Sequence, residues 1–197
     1  MKVVLASNNM GKIKELRALL QHLQIDLIPQ AELGIPDIEE TGLTFVENAL
    51  IKARHASCLS GLPAIADDSG LEVDALKGAP GIYSARYAGK HADAENNIQK
   101  LLSNLHDVPD EKRHAHFYCV LVFMAHDKDA TPLICQGKWQ GTILHSPQGK
   151  DGFGYDPVFY IPSEKQTAAE LTLARKNVIS HRGLALQSLL TKLPEKI

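Results

Sequence analysis

Ala64-Ile-Ala-Asp67-Asp68-Ser69-Gly70-Leu-Glu-Val-Asp-Ala-Leu-Lys-Gly78-Ala-Pro-Gly-Ile-Tyr83-Ser-Ala-Arg86-Tyr87 is the stretch on which the fold turns. Residues 64–67 read as a buried strand ending at two aspartates, with Ser69-Gly70 turning the chain immediately after. Adjacent carboxylates raise each other's pKa and cost desolvation unless a positive charge compensates. Two alternatives stand at this point. Asp, Ser and Gly are ordinary formers of a solvated turn, and paired carboxylates are hard oxygen ligands for a divalent cation.

Outward from that stretch, strands alternate with helices. Lys2 to Ala6 reads as a short buried strand. Residues 13–23 read as a helix, with Ile13, Leu16, Leu19 or Leu20, and Leu23 at helical spacing. Residues 25–28 form a second strand ended by Pro29, and 30–43 are irregular and acidic. Thr44-Phe-Val-Glu47 has the form of a capping box and opens a helix to about Leu62, closed by Gly61 and Pro63. Residues 93–105 are helical. Residues 115–125 and 131–144 read as a long antiparallel pair joined by the polar turn 126–130. A Gly-rich loop covers 146–157, Thr167-Ala-Ala-Glu170 is a second capping-box pattern, and a last helix follows Ser180. Leu186, Leu189, Leu190 and Leu193 line one face of that helix.

Strand-helix alternation followed by a long hairpin predicts an α/β protein with a mixed sheet. With 197 residues, no internal repeat and no flexible linker, residues 1–197 read as one domain or two closely merged lobes. A formal net charge of −2 argues against a general polyanion binder, so any phosphate site must be a local cluster of cations. Cys58, Cys119 and Cys135 are odd in number and form no Cys-x-x-Cys, which fits reduced thiols in a cytoplasmic protein. The apolar run at the N-terminus is too short for a signal peptide, and no stretch has the length of a membrane span.

Several clusters carry possible chemistry. Ser7-Asn8-Asn9-Met10-Gly11-Lys12 joins the first strand to the first helix. It reads either as an N-cap or as an anion site of backbone N–H groups aided by Lys12. Glu40 is a surface acid or a second carboxylate ligand beside Asp68, since magnesium commonly takes one or two carboxylates. Lys52 lies eight residues after Thr44 and reads as a solvated lysine or one facing a cleft. In the loop Gly152-Phe153-Gly154-Tyr155-Asp156-Pro157 an exposed aromatic can stack on a planar ring, with Asp156 accepting from ring N–H groups. The alternative folds both aromatics into the core. Lys176 and Ser180-His181-Arg182 flank the start of the last helix, and two potential cations there oppose the helix dipole. Such local inconsistency often marks a functional site. His114 and His116 read as strand histidines, Trp139 as a packing residue of the hairpin, and Tyr83, Arg86 and Tyr87 as packing or contact residues.

Taken in order and spacing, these motifs resemble the inosine/xanthosine triphosphate pyrophosphatase family of house-cleaning nucleotide hydrolases. The motifs are Ser7-x-Asn9-x-x-Lys12, Glu39-Glu40-Thr41-Gly42, Ala66-Asp67-Asp68-Ser69-Gly70, Gly78 to Arg86, Gly152 to Pro157, and Lys176 with Ser180-His181-Arg182. The resemblance covers essentially the whole chain. It implies an elongated mixed β-sheet with flanking helices, two lobes around a central substrate cleft, and a homodimer. It further implies Mg2+-dependent cleavage of ITP, dITP or XTP to monophosphate and pyrophosphate, with no nucleic-acid or membrane partner. By the same resemblance Ser7 to Lys12 bind the triphosphate, Asp68 is the catalytic carboxylate and metal ligand, and Glu40 is a further ligand. Ser69 contacts substrate, and Phe153 to Asp156, Lys176, His181 and Arg182 form the base and phosphate pocket. Asp67 assists Asp68, while Lys12, Lys52 and Lys176 offset phosphate charge. Donors from His181 and Arg182 would pair with the purine 6-oxygen and oppose the 6-amine of adenine. One departure is Asn8, where many relatives carry glycine; Asn tolerates a positive φ better than most residues. A nucleotide-binding module without turnover and a pyrophosphatase for modified pyrimidine nucleotides are the rival expectations.

Overall fold

A computed structural model describes residues 1–20 and 25–196, without the side chains of Ala18 and Leu19. Its elements are β1 (Lys2–Ala6), α1 (Met10–Leu20), β2 (Asp26–Pro29), α2 (Phe45–Ser60), β3 (Ala64–Val73), α3 (Ala94–Asn104), β4 (His114–Met124), β5 (Leu133–Ile143), β6 (Phe159–Ile161), β7 (Gln166–Thr167), α4 (Leu173–Ile179) and α5 (His181–Lys192). The sheet has seven strands in the order β2-β1-β3-β4-β5-β6-β7. Strand β1 runs parallel to β2 and β3, whereas β6 is antiparallel to β5 and β7. The expected mixed α/β sheet is therefore present. The reading of the first helix as far as residue 23 lies outside the described residues from 21 onward, as do Leu23 and the side chain of Leu19.

The chain divides into two compact units, one of Met1–Asp68, Cys119–Gly137 and Arg182–Ile197, the other of Ser69–Tyr118 and Lys138–His181. Each has its own core. In the first, Leu5 and Ile65 of the sheet pack with Leu16, Leu186 and Leu189 of α1 and α5, all essentially excluded from water. Each such leucine contributes about 1.5–3 kcal/mol. In the second, Leu71, Leu101, Phe117, Trp139 and Phe159 cluster. There Arg113 is 2% exposed, and its guanidinium donates to the carbonyls of Leu105, Ile143 and Leu144 at 2.7, 2.8 and 3.0 Å.

Capping behaves as the sequence predicts in α2. Glu47 N donates to Thr44 Oγ1 at 3.2 Å, and the Glu47 carboxylate accepts from Leu43 N and Thr44 Oγ1 at 2.9 Å. Gly61 ends the helix at φ 68°. Three expectations are corrected. First, α1 starts at Met10 rather than at residue 13, because Asn9 Oδ1 accepts from Lys12 N and opens the helix before its apolar stripe begins. Second, Thr167 and Glu170 make their predicted bond, Thr167 N to Glu170 Oε2 at 2.8 Å, but close a turn after β7. The helix starts later, at Leu173, capped by Thr172. Third, Asp67-Asp68-Ser69-Gly70 is not a turn. Strand β3 passes straight through all four residues.

Candidate active site

The uninterrupted course of β3 decides what its aspartates do. Ala6 pairs with Ala66, so the chain leaves β1 at Ser7 level with Asp67. Successive side chains of a strand point to opposite faces, so Asp67 and Asp68 are separated rather than paired. Their surroundings differ accordingly. The Asp67 carboxylate is ion-paired with Lys12 of α1 through Oδ1 and accepts from Arg182 Nε of α5 through Oδ2 at 3.0 Å. Cys119 Sγ of β4 donates to Oδ2 at 3.2 Å, and Arg182 Nη1 also holds Glu15. Burial alone would push the Asp67 carboxyl up. Arg182 and then Lys12 outweigh it and hold the group well below the usual carboxylate range. The Cys119 thiol is driven well up, by burial first and then by Asp67.

Asp68 is ion-paired with Lys52. Lys52 Nζ of α2 donates to Asp68 Oδ1 at 2.9 Å, to Glu40 Oε1 at 2.8 Å and to the Asp67 carbonyl at 2.8 Å. Asp68 Oδ2 is buried without a hydrogen-bond partner. Burial raises the Asp68 carboxyl, against Lys52 and Lys12, with Glu40 adding to the rise. Lys52 is pushed down by burial but raised overall by Asp68 and Glu40. Lys52 on α2 is thus partly buried and paired, not solvated.

Around the β1–α1 junction Ser7 Oγ accepts from Asn9 N at 3.2 Å, and Asn8 Nδ2 donates to Asp37 Oδ1 at 2.7 Å. Asn8, Asn9 and Met10 are exposed, and Gly11 and Lys12 are partly so. The N-cap geometry is therefore real, and it presents the first turn of α1 outward. Asn8 has no positive φ; among the described non-glycine residues only Lys77 and Lys165 do.

The second unit gathers the other candidates. Phe153 is 37% exposed, and Lys176 Nζ lies 5.0 Å from its ring centroid. Asp156 is buried, its Oδ2 accepting from Lys176 Nζ at 2.6 Å and from Phe153 N at 2.8 Å. Gly152 sits at φ +81°, and a Cβ there would collide with Asp156 Oδ2; Gly154 has φ +62°. Glycines here let one loop wrap a carboxylate. Tyr155 does not share the exposure of Phe153. Its ring is buried in the core and its hydroxyl donates to Ser84 O at 2.8 Å, so of the two aromatics it follows the core alternative. His181 is buried and stacked on Phe117 (centroids 4.8 Å, 13° between planes) and on Trp139 (6.2 Å, 18°). Trp139 packs as expected, and Ser69 is half-buried in β3. Tyr83 is exposed with Arg86 over its ring, while Tyr87 is partly buried.

Asp67 and Glu15 resolve the dipole inconsistency for Arg182. Arg182, expected as a donor to the purine, is 2% exposed and spends its guanidinium on those two carboxylates, which supply the negative charge that the helix terminus lacks. Sequence reading missed Glu15, although Lys12 and Glu15 are three residues apart and share a helix face. It also missed Cys119 and Phe117 as neighbours of candidate residues. His116 binds Glu72 through Nε2 at 2.7 Å, and among the described residues no group of three His, Cys, Asp or Glu is arranged to hold a metal. The cysteines are free, and among the described residues no helix is long and apolar enough to cross a membrane.

A family model described as the Ham1 family matches residues 3–192. The chain belongs to the Ham1 family. A curated relative from Shigella flexneri, named dITP/XTP pyrophosphatase, is 59% identical over 192 residues, 98% of each chain. A HAM1 protein structure from Coxiella burnetii superposes with a TM-score of 0.92 at 55% identity, covering 99% of both chains. The Staphylococcus aureus Ham1 protein gives 0.88 at 41% identity over the whole of both.

Proposed function

We propose that this chain is a nucleoside-triphosphate pyrophosphatase that hydrolyses deaminated purine nucleotides, ITP, dITP or XTP, to the monophosphate and pyrophosphate. The strongest support is the division of labour between adjacent aspartates. Asp67 is neutralised by Lys12 and Arg182, while Asp68 keeps a buried carboxylate oxygen without a partner. The printed name of the Shigella flexneri relative supports the substrate class.

Asp68 and Glu40 suit a magnesium ion, because both are carboxylates, they meet at one point on Lys52, and the orphaned Asp68 Oδ2 is a ready oxygen donor. Bound there, the ion supplies positive charge that polarises the substrate phosphates. The residues of the chain do the rest. Asp68 takes the proton of the attacking water, its position fixed by β3. As the new P–O bond forms, pyrophosphate leaves. Lys12, Lys52 and the first turn of α1 from Ser7 to Gly11 offset the phosphate charge. Asp67 and Arg182 act through others: they fix the Lys12 ammonium and keep β3 and α5 in place.

The second unit is proposed to hold the base. The exposed ring of Phe153 stacks on the purine. Lys176, oriented by Asp156, and His181, held by Phe117 and Trp139, offer donors to the 6-oxygen of hypoxanthine or xanthine. Adenine presents a donor there, and a site built to bond an acceptor rejects such an analogue by ~10⁴ or more. Ser69 contacts the substrate. Residues 1–197 are proposed to form one pyrophosphatase domain, in a homodimer, in the cytoplasm.

The test is pyrophosphate release from ITP, dITP, XTP, ATP and GTP, with and without magnesium. Rapid magnesium-dependent release from the first three and little from ATP is expected. No release from any of them would favour a binding module instead, and turnover confined to modified pyrimidine nucleotides would move the substrate class.

A further inference from the structure

Lys52 Nζ sits at the meeting point of the two carboxylates proposed above as metal ligands. Its three N–H donors meet three oxygens: Glu40 Oε1 at 2.8 Å, Asp68 Oδ1 at 2.9 Å and the Asp67 carbonyl at 2.8 Å. The side chain is 14% exposed, so this is a built contact rather than a passing surface pair. An ammonium and a divalent cation cannot both occupy that point. Magnesium requires its oxygens at about 2.0–2.1 Å in near-octahedral geometry. Like charges ~4 Å apart repel strongly in a half-buried site. Asp68 Oδ2, buried and unpartnered, is the oxygen not already engaged by the lysine.

Resting on that ligand assignment, we propose that Lys52 holds the place of the divalent cation in the metal-free chain and gives up Glu40 and Asp68 when the cation binds. The ammonium keeps the two carboxylates together while no metal is present. Once displaced, it carries a full charge and free donors to the phosphates of the nucleotide. Metal binding without nucleotide then carries the cost of displacing Lys52, and nucleotide phosphates relieve that cost by accepting the displaced ammonium. Metal and nucleotide must therefore strengthen each other reciprocally, and Lys52 is the coupling element. A lysine that served only as a phosphate contact would leave metal affinity in the absence of nucleotide untouched.

The experiment is calorimetric titration of the nucleotide-free protein with magnesium. Lys52→Met keeps the length of the stem and removes the competing charge. It is expected to bind magnesium at least about tenfold more tightly than wild type, and to lose the enhancement that a non-hydrolysable nucleotide gives wild type. Equal or weaker affinity in Lys52→Met overturns the proposal. Should that variant not fold, the wild-type chain decides through side-chain NMR with 15N-labelled lysine. The Lys52 ammonium resonance must move during the magnesium titration, and an unmoved resonance at saturation overturns the proposal. Glu40→Gln and Asp68→Asn separate the two possible failures. Undiminished magnesium binding in both means that the ligand assignment has failed. Lost binding in both, without tightening in Lys52→Met, means that the assignment stands and the place-holder role is wrong.

Discussion

Replacing each aspartate in turn by asparagine changes one atom at two consecutive positions, yet the effects on stability should differ sharply. Asp67→Asn removes a charge whose side chain is fully buried between Lys12 and Arg182. Removing one partner of a buried ion pair costs about 3–5 kcal/mol. Arg182 keeps Glu15, which places the loss near the lower figure, about 3 kcal/mol. For a chain of this size each kcal/mol moves the melting temperature by roughly 2–4 °C, giving a fall of roughly 6–12 °C. Asp68→Asn acts in the other direction. Burial already disfavours the ionised Asp68, an asparagine oxygen can still accept from Lys52, and Lys52 keeps Glu40. Its melting point should stay within about 4 °C of wild type, equivalent to about 1 kcal/mol. The assay is calorimetric melting of both variants in chelator, so that no metal masks the difference. An Asp67→Asn protein melting within about 2 °C of wild type, or an Asp68→Asn protein losing as much as Asp67→Asn, would refute the reasoning.

Three further outcomes are expected. Asp129 is pushed up by burial, but hydrogen bonds from Ala125 N and Thr131 N, with Lys196, bring its pKa down to about 2. Its stabilisation is therefore full above the ordinary carboxylate range and lost as pH falls toward about 2. Asp129→Asn should flatten that part of an acid-denaturation curve, and an unchanged acid limb would contradict the assignment. Gly152→Ala forces a Cβ into Asp156 Oδ2 at a positive φ, so KM for dITP should rise by about tenfold or more while the chemical step is spared. An unchanged KM would separate the Gly152 loop from base binding. Arg113→Met removes the guanidinium's hydrogen bonds to carbonyls at the ends of α3 and β5; at ~1 kcal/mol each, the urea midpoint should fall clearly, and an unmoved midpoint would mean that water replaces the guanidinium.

Local signals made much of the fold legible. The capping box of α2, the apolar stripe of α5 and the polar turn between β4 and β5 each act within a few residues, where sequence and geometry are tied. Asp67 to Gly70 misled because Asp, Ser and Gly are poor strand formers by propensity. Here tertiary context prevails: β3 lies between β1 and β4, and each buried aspartate finds a cation from a distant helix. Helix α4 went unread because it has only seven residues and its true cap, Thr172, follows a stronger-looking Thr167-Glu170 pattern. Among the candidate residues, Asp68, Glu40, Lys12, Phe153 and Lys176 could be singled out as chemistry but without geometry. Sequence could not show that Lys52 links Glu40 to Asp68, or that Glu15 sits on Arg182, because those partners are 12, 16 and 167 residues apart.

The separation of roles along β3 is tested most directly by single-turnover pyrophosphate release from dITP, with enzyme in excess and magnesium saturating, in wild type and Asp68→Asn. The account predicts stoichiometric monophosphate and pyrophosphate from wild type. In the variant it predicts a fall in the chemical rate of about 10² or more, with dITP still bound and the melting point nearly unchanged. A variant that turns over within tenfold of wild type, or a wild type that yields diphosphate and orthophosphate, would contradict it.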